Sequence, residues 1–240
     1  MDIVKISWSG GKDSTASCLI HLMRGDVCKI VYYIPMLTKS IPLIMPEHYN
    51  FILNSAVRFE EMGAQVYEAK GISYYDHVHT IISKGKNSGL ARGYGLGFGF
   101  CQFRDYSKIK ALVTCNVGDF EYEDIGIAFD EIERQSQLNE YKRSVLVERK
   151  VTEKDAFKLC LDYDFLSPLY FSFRSRDGCA ICPNASKLEL YEYCQAYPDA
   201  YNILLEIDSF CHSKDSRHFR PFRDCFSFEE RLSNIQLPLI

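Results

Sequence analysis

Ser9-Gly10-Gly11-Lys12-Asp13-Ser14 gathers two hydroxyls, an ammonium and a carboxylate around a pair of glycines. This set suits an oxyanion. Glycine lets the chain turn tightly and leaves no Cβ to keep a ligand off the backbone. The hydroxyls of Ser9 and Ser14 donate hydrogen bonds, and Lys12 supplies charge. Asp13 is the odd member of an anion site; its use there is to cap the turn or to help hold a metal–phosphate group. A second chemically equipped stretch is Cys179-x-x-Cys182. Two thiols on one tight turn serve zinc, an iron–sulfur cluster or a redox disulfide. Cys101, at an expected helix start beside a glycine-rich loop, is the best third ligand, and a fourth protein ligand is not identifiable. Three cysteines on a cubane cluster would leave one iron open to a sulfur atom or a substrate. The alternative is a reduced, metal-free pair.

The elements that must position these residues follow from hydrophobic pattern. Residues 3–8 read as a buried strand and 15–23 as an apolar helix without Gly or Pro. Strand, glycine turn and helix thus follow without a spacer. That arrangement aims backbone N–H groups and the positive end of the helix at one point, as a phosphate requires. Residues 28–34 form a second strand, Pro35, Pro42 and Pro46 break the chain into a loop, and 47–62 have helical spacing that Gly63 ends. Residues 64–68 are a third strand. Alternating strands and helices imply a parallel sheet with right-handed crossovers, and a ligand at the carboxyl ends of its strands.

Further along, residues 71–83 suggest a short helix in which His77 and His79 are two surface histidines; the alternative is a His-x-His pair that binds metal from a strand. Glycine alternates with bulkier residues over 93–100, as a flap over the substrate or a plain insertion. A helix is expected after Cys101, strands over 112–117, 125–128 and 144–147, and a helix over 129–134 with an acid–Arg134 pair. Thr152-x-x-Asp155 caps another helix, and helices over 186–196 and 199–211 are split by Pro198. The expected division is an α/β nucleotide-binding domain over 1–150 and a helical region with the CxxC over 151–240.

A chain of 240 residues that is 47% apolar and 14% aromatic can bury a substantial core. Its net charge of −4 argues against broad nonspecific nucleic-acid binding and leaves room for a local basic groove, with Arg174, Arg176 and Lys187 as candidates. No apolar run reaches membrane-spanning length and the N-terminus enters a strand directly, so a cytoplasmic protein without membrane contact is expected. Ten cysteines in that compartment point to metal or redox chemistry rather than disulfides. Cys18, Cys28, Cys115 and Cys160 sit in apolar patterns and read as ordinary buried thiols.

The glycine turn fits neither GxxxxGK[ST] nor GxGxxG. Four further stretches follow it in order: the basic stretch at Cys101, Ile125-Gly126-Ile127-Ala128-x-Asp130-Glu131-x-x-Arg134, Leu166-Ser167-Pro168-Leu169-Tyr170, and Gly178-Cys179-Ala180-Ile181-Cys182-Pro183-Asn184. Together they resemble the PP-loop ATP pyrophosphatase and phosphoadenosine phosphosulfate (PAPS) reductase superfamily, in particular its short bacterial and phage members. The resemblance covers residues 1–205. It implies an adenine nucleotide alpha-hydrolase-like fold: a three-layer α/β sandwich with a central parallel sheet and a smaller, mainly helical, cysteine-containing C-terminal part. By the same resemblance, Ser9, Gly10, Gly11, Lys12, Asp13 and Ser14 hold the phosphate or sulfate of ATP or PAPS with Mg2+. Lys12, Asp13 and Cys101 are the expected catalytic residues. Gly126 and Arg134 match a segment lining the same pocket; their plainer roles are a strand end and a helix-surface ion pair. Cys101, Cys179 and Cys182 match cysteines that carry an iron–sulfur cluster in some relatives, a [4Fe-4S] cluster here or Zn2+ in its place.

The activity implied is ATP-dependent adenylation with release of pyrophosphate, coupled to sulfur transfer onto a nucleic acid or small molecule. Two alternatives stand beside it: a PAPS or adenylyl-sulfate reductase-like oxidoreductase, and a non-catalytic nucleotide-binding protein in phage–host conflict. Assimilatory reductases end in a tail with a catalytic cysteine in an ECGLH motif, whereas this tail reads Phe222-Arg223-Asp224-Cys225-Phe226. Expected partners are an adenine nucleotide, a tRNA or DNA substrate, a sulfur-donor protein, and a second copy in a homodimer.

Overall fold

Strand β1 (Ile3–Trp8), helix α1 (Lys12–Arg24), β2 (Val27–Tyr32), α2 (Pro46–Glu61), β3 (Gln65–Glu68), α3 (Tyr74–His79), α4 (Gly99–Thr114), β4 (Tyr122–Ile125), α5 (Ile132–Gln135), β5 (Lys142–Arg143), α6 (Val145–Glu148), α7 (Glu153–Asp162), a 3-10 turn (Pro168–Phe171), α8 (Lys187–Ala196) and α9 (Pro198–His212) follow in chain order. The computed structural model describes residues 2–85, 88–89, 99–172, 180–181 and 186–212; for 99–106, 187, 208 and 211–212 this covers the backbone only.

The five strands form one parallel sheet in the order β3-β2-β1-β4-β5. The chain builds outward from β1 through β2 to β3, then returns to β1's other edge to lay down β4 and β5. The carboxyl end of β1 is therefore a topological switch point, where open parallel sheets bind ligands. The chain divides into two units. Residues 1–33, 46–70 and 112–177 hold the whole sheet with α1, α2, α5, α6, α7 and the 3-10 turn. Residues 34–45, 71–111 and 178–240 hold α3, most of α4, α8 and α9. Residue 150 lies inside the first unit.

In the first unit, Val4, Ile6 and Trp8 of β1, Ala16, Cys18, Leu19 and Ile20 of α1, and Phe59 of α2 are all buried. The Trp8 ring meets Phe59 edge-on at 5.2 Å, and Phe59 stacks on Phe165 at 4.7 Å. In the second unit, the buried Tyr193 hydroxyl donates to the Pro42 carbonyl (2.7 Å) and Ala180 N–H donates to the Leu43 carbonyl (2.9 Å), tying the proline-broken segment to this unit. Of the two expected surface histidines, one is buried and the other half-buried. His77 is buried, and His79 packs between the rings of Tyr75 (4.3 Å) and Phe210 (4.2 Å).

Three expected strands are corrected. Residues 112–114 end α4, and 115–117 continue without regular structure; a short apolar run carries no periodicity that separates strand from helix. The strand expected at 125–128 lies at Tyr122–Ile125, because its buried face carries Tyr122 and Asp124, and a buried aspartate breaks the apolar pattern. Residues 145–148 are a turn of helix rather than a strand, with the strand just before them. Asp124 Oδ2 accepts from Val145 N–H at 2.7 Å, and that bond starts the turn.

Asp124 is tolerated in the core because His21 reaches it. The imidazole sits between Asp26 Oδ2 (2.8 Å) and Asp124 Oδ2 (3.2 Å), all three groups buried. Burial works against a charged His21, but the bonds to Asp124 and Asp26 outweigh it and raise its pKa above 6.5. A raised folded-state pKa contributes stability in full below the unfolded value and loses it as pH rises through the folded value. The urea midpoint is therefore expected to fall as pH rises above about 6.5. His21→Gln should cost about 3–5 kcal/mol and flatten that pH dependence; an unchanged pH profile in the variant would contradict this role.

Candidate functional site

Between the last residue of β1 and the first of α1 lie Ser9, Gly10 and Gly11. Gly10 has φ +81, where side chains are disfavoured, and a Cβ there would stand 2.9 Å from His48 Cε1 and 3.0 Å from Ile52 Cγ1. Gly11 caps α1 and supplies no side-chain hydrogen bond to it. Ser9 and Ser14 brace the turn from inside: Ser9 N–H donates to Ser14 Oγ (3.1 Å), the two hydroxyls bond at 3.0 Å, and Ser14 Oγ donates to the Gly11 carbonyl (3.1 Å).

Gly126, one residue past β4, closes the other side. A Cβ there would lie 2.4 Å from Ser14 N and 2.8 Å from the Asp13 carbonyl carbon, so backbone meets backbone. No residue other than glycine fits without displacing the first turn of α1.

Charged side chains converge on this turn. The Lys12 ammonium bonds Asp13 Oδ2 and Glu153 Oε1, each at 2.9 Å. Burial opposes its charge, yet Glu153 and Asp13 raise its pKa above the ordinary lysine value. Carboxylate oxygens of Asp13, Glu131 and Glu153 lie within 4.8 Å of one another. Burial pushes the Asp13 pKa up, Lys12 pulls against it, and Glu131 and Glu153 add repulsion; the net direction is up. Asp13 Oδ1 is buried without a hydrogen-bond partner among the described residues. Arg134 is committed to Glu131, three positions before it on the chain.

The turn is also held from α7 and the 3-10 turn. Tyr170 Oη accepts from Lys12 N–H (3.2 Å), and Cys160 Sγ donates to the Lys12 carbonyl (3.2 Å). His48 Nδ1 bonds Ser167 Oγ at 2.9 Å, so the ring beneath Gly10 is fixed by the same segment that carries Tyr170. Burial pushes the Cys160 thiol up to about 12, which leaves it neutral and unreactive beside the turn.

No family model matches the chain, and no curated protein matches it significantly.

Of the expected site residues, Ser9, Gly10, Gly11, Lys12, Asp13, Ser14 and Gly126 come together in one place. Arg134 joins them through Glu131, the acid with which it forms the expected ion pair. Cys101 lies on α4 with its side chain outside the described residues. Cys179, Cys182, Arg174, Arg176, the segment 90–98 and the tail from residue 213 are likewise outside them. Cys18, Cys28 and Cys160 are buried as expected, and Cys115 is half-buried. Glu153 and His48 were not among the expected site residues, and Tyr170 stood only as the end of the Leu166-Ser167-Pro168-Leu169-Tyr170 stretch, with no role assigned. The signal for Glu153 was the Thr152 capping box, which places it at the start of α7 but not what that start faces.

Gly126→Ala is expected to cost at least about 1–3 kcal/mol, lower the thermal midpoint by several degrees and abolish anion binding at the turn. Differential scanning fluorimetry with and without pyrophosphate checks both; a variant as stable as wild type would mean the contact has slack.

Proposed function

We propose that this chain is an ATP-dependent enzyme of the PP-loop pyrophosphatase type, in the PAPS reductase family, with the adenine nucleotide alpha-hydrolase-like fold. The observation that supports it most is the pairing of a glycine-walled helix start with Lys12 and three carboxylates in the same cradle. The wall of Gly10, Gly11 and Gly126 lets an oxyanion approach the backbone. Sulfonucleotide reduction needs no ring of acids there, and three carboxylates repel a bare anion. A polyphosphate that arrives with a cation suits them better.

In this reading the turn amides and the hydroxyls of Ser9 and Ser14 hold the phosphates. A carbonyl or carboxylate oxygen of the acceptor attacks the α-phosphorus, the bond to the bridging oxygen breaks, and pyrophosphate leaves with the electron pair. Lys12 stabilises the charge gathering on that leaving group. Asp13, Glu131 and Glu153 would hold Mg2+, and the unpartnered, buried Asp13 Oδ1 fits a hard cation of this kind. When bound, Mg2+ neutralises phosphate charge. A sulfide-level sulfur nucleophile then attacks the adenylated carbon, the carbon–oxygen bond to the adenylate breaks, and AMP leaves with the electron pair. Cys18, Cys28 and Cys160 are poor sources of a thiolate, since burial raises all three pKa values. Sulfur delivery through Cys101, Cys179 and Cys182, their iron–sulfur or zinc centre, and a tRNA or DNA acceptor rest on the sequence resemblance.

Trp8 is the chain's single tryptophan and a built-in probe. It precedes the turn, is buried, and its indole N–H donates to Thr15 Oγ1 at 2.9 Å. ATP with Mg2+ is expected to change Trp8 fluorescence saturably, Lys12→Ala to weaken binding at least about tenfold, and Glu153→Gln to reduce the part of the affinity that depends on Mg2+. Pyrophosphate release on adding tRNA or DNA would mark turnover. Tighter binding of PAPS than of ATP with Mg2+, or a Lys12→Ala variant that binds as wild type, would contradict the reading.

A further inference from the structure

We infer that Tyr170 is a stand-in for the ligand: its phenol oxygen holds the first amide of α1 and yields it when a phosphoryl oxygen binds. The inference rests on the nucleotide reading above. Lys12 is the first residue of α1, so its N–H has no acceptor within the helix. The Gly11 cap has no side chain to offer. The acceptor comes instead from Tyr170, 158 residues along the chain, at 3.2 Å. A tyrosine oxygen thus takes one of the donors that a phosphate at this turn would use.

Its support is independent of that bond. The Tyr170 ring stands edge-on to Phe157 of α7 at 6.0 Å, on the helix whose first residue, Glu153, holds the Lys12 ammonium. Ser167 starts the 3-10 turn by accepting from Leu169 N–H (3.4 Å) and also bonds His48 under Gly10. The phenol is therefore presented by a braced segment rather than by a stray contact. A phenol oxygen is a neutral acceptor, whereas a phosphoryl oxygen is charged and makes a bond roughly twice as strong. The ligand wins the exchange, but its affinity is reduced by the bond it must break.

The sign of the test follows. Tyr170→Phe keeps the ring against Phe157 and removes the competing oxygen. The free protein loses the bond from the Lys12 amide, which the complex has already given up, so ATP with Mg2+ should bind roughly two- to tenfold tighter. Unchanged or weaker binding overturns the inference, because a tyrosine that merely props the turn or touches the ligand gives that result. A second measurement uses the wild-type protein: the Lys12 amide resonance should move downfield on adding ATP with Mg2+ or inorganic pyrophosphate. An amide that stays in place while Trp8 fluorescence reports binding also overturns it. If wild type binds and Lys12→Ala does not, failure of either measurement sinks this inference alone. If neither probe reports binding to wild type, the nucleotide reading falls and takes the inference with it.

Discussion

The contact between Gly126 and the Ser14 backbone constrains everything around the candidate site. β4 can lie beside β1 in the sheet and still leave its end against the start of α1 only if the residue after β4 lacks a Cβ. That approach fixes where α1 begins and hence where the amides of the glycine turn point. It also leads the 127–131 segment towards Lys12. Ile127 and Ala128 are fully buried, and the Ala128 N–H donates to Glu131 Oε2 at 3.0 Å, which folds that carboxylate back over the turn. One missing methyl group thus sets both the backbone and the charge of the cradle.

The charges do not balance within the cradle. Of three clustered carboxylates, Asp13 and Glu153 share the Lys12 ammonium and Glu131 is paired with Arg134. Asp13 bears the cost as a raised pKa and an unpartnered oxygen. Structures tolerate such frustration where a ligand relieves it, and a cation-bearing polyphosphate relieves it better than a lone anion. The buried His21 pair at the other end of α1 behaves differently. There the imidazole meets one oxygen of each carboxylate and holds the helix to the sheet, although Asp124 Oδ1, like Asp13 Oδ1, has no hydrogen-bond partner among the described residues.

How much of this could be read beforehand depended on whether local pattern carried the information. β1, α1, β2, α2 and β3 have unbroken apolar patterns with glycine and proline punctuation, and all five lie where pattern puts them. β4 was misplaced because Asp124 occupies its buried face, and only His21, more than a hundred positions away, makes that tolerable. The strand expected after Ser144 became a helical turn because Asp124 also takes the Val145 amide. At the site, the glycine turn was visible from its own residues and Gly126 and Arg134 through the family resemblance, whereas Glu153, His48 and Tyr170 were given no role. Glu153 looked like a helix start, His48 like part of α2, and Tyr170 like the end of a motif stretch without a stated partner. Their roles are tertiary, and no spacing within one segment encodes them.

The central claim is that the turn from Ser9 to Ser14 binds the phosphates of an adenine nucleotide. The most direct measurement is a crystal structure of the protein grown with ATP and Mg2+. The account predicts phosphate oxygens within hydrogen-bond distance of the Gly11 and Lys12 amides, with the metal against Asp13. A nucleotide bound elsewhere, with that turn unchanged and its amides still engaged by protein oxygens, would contradict it.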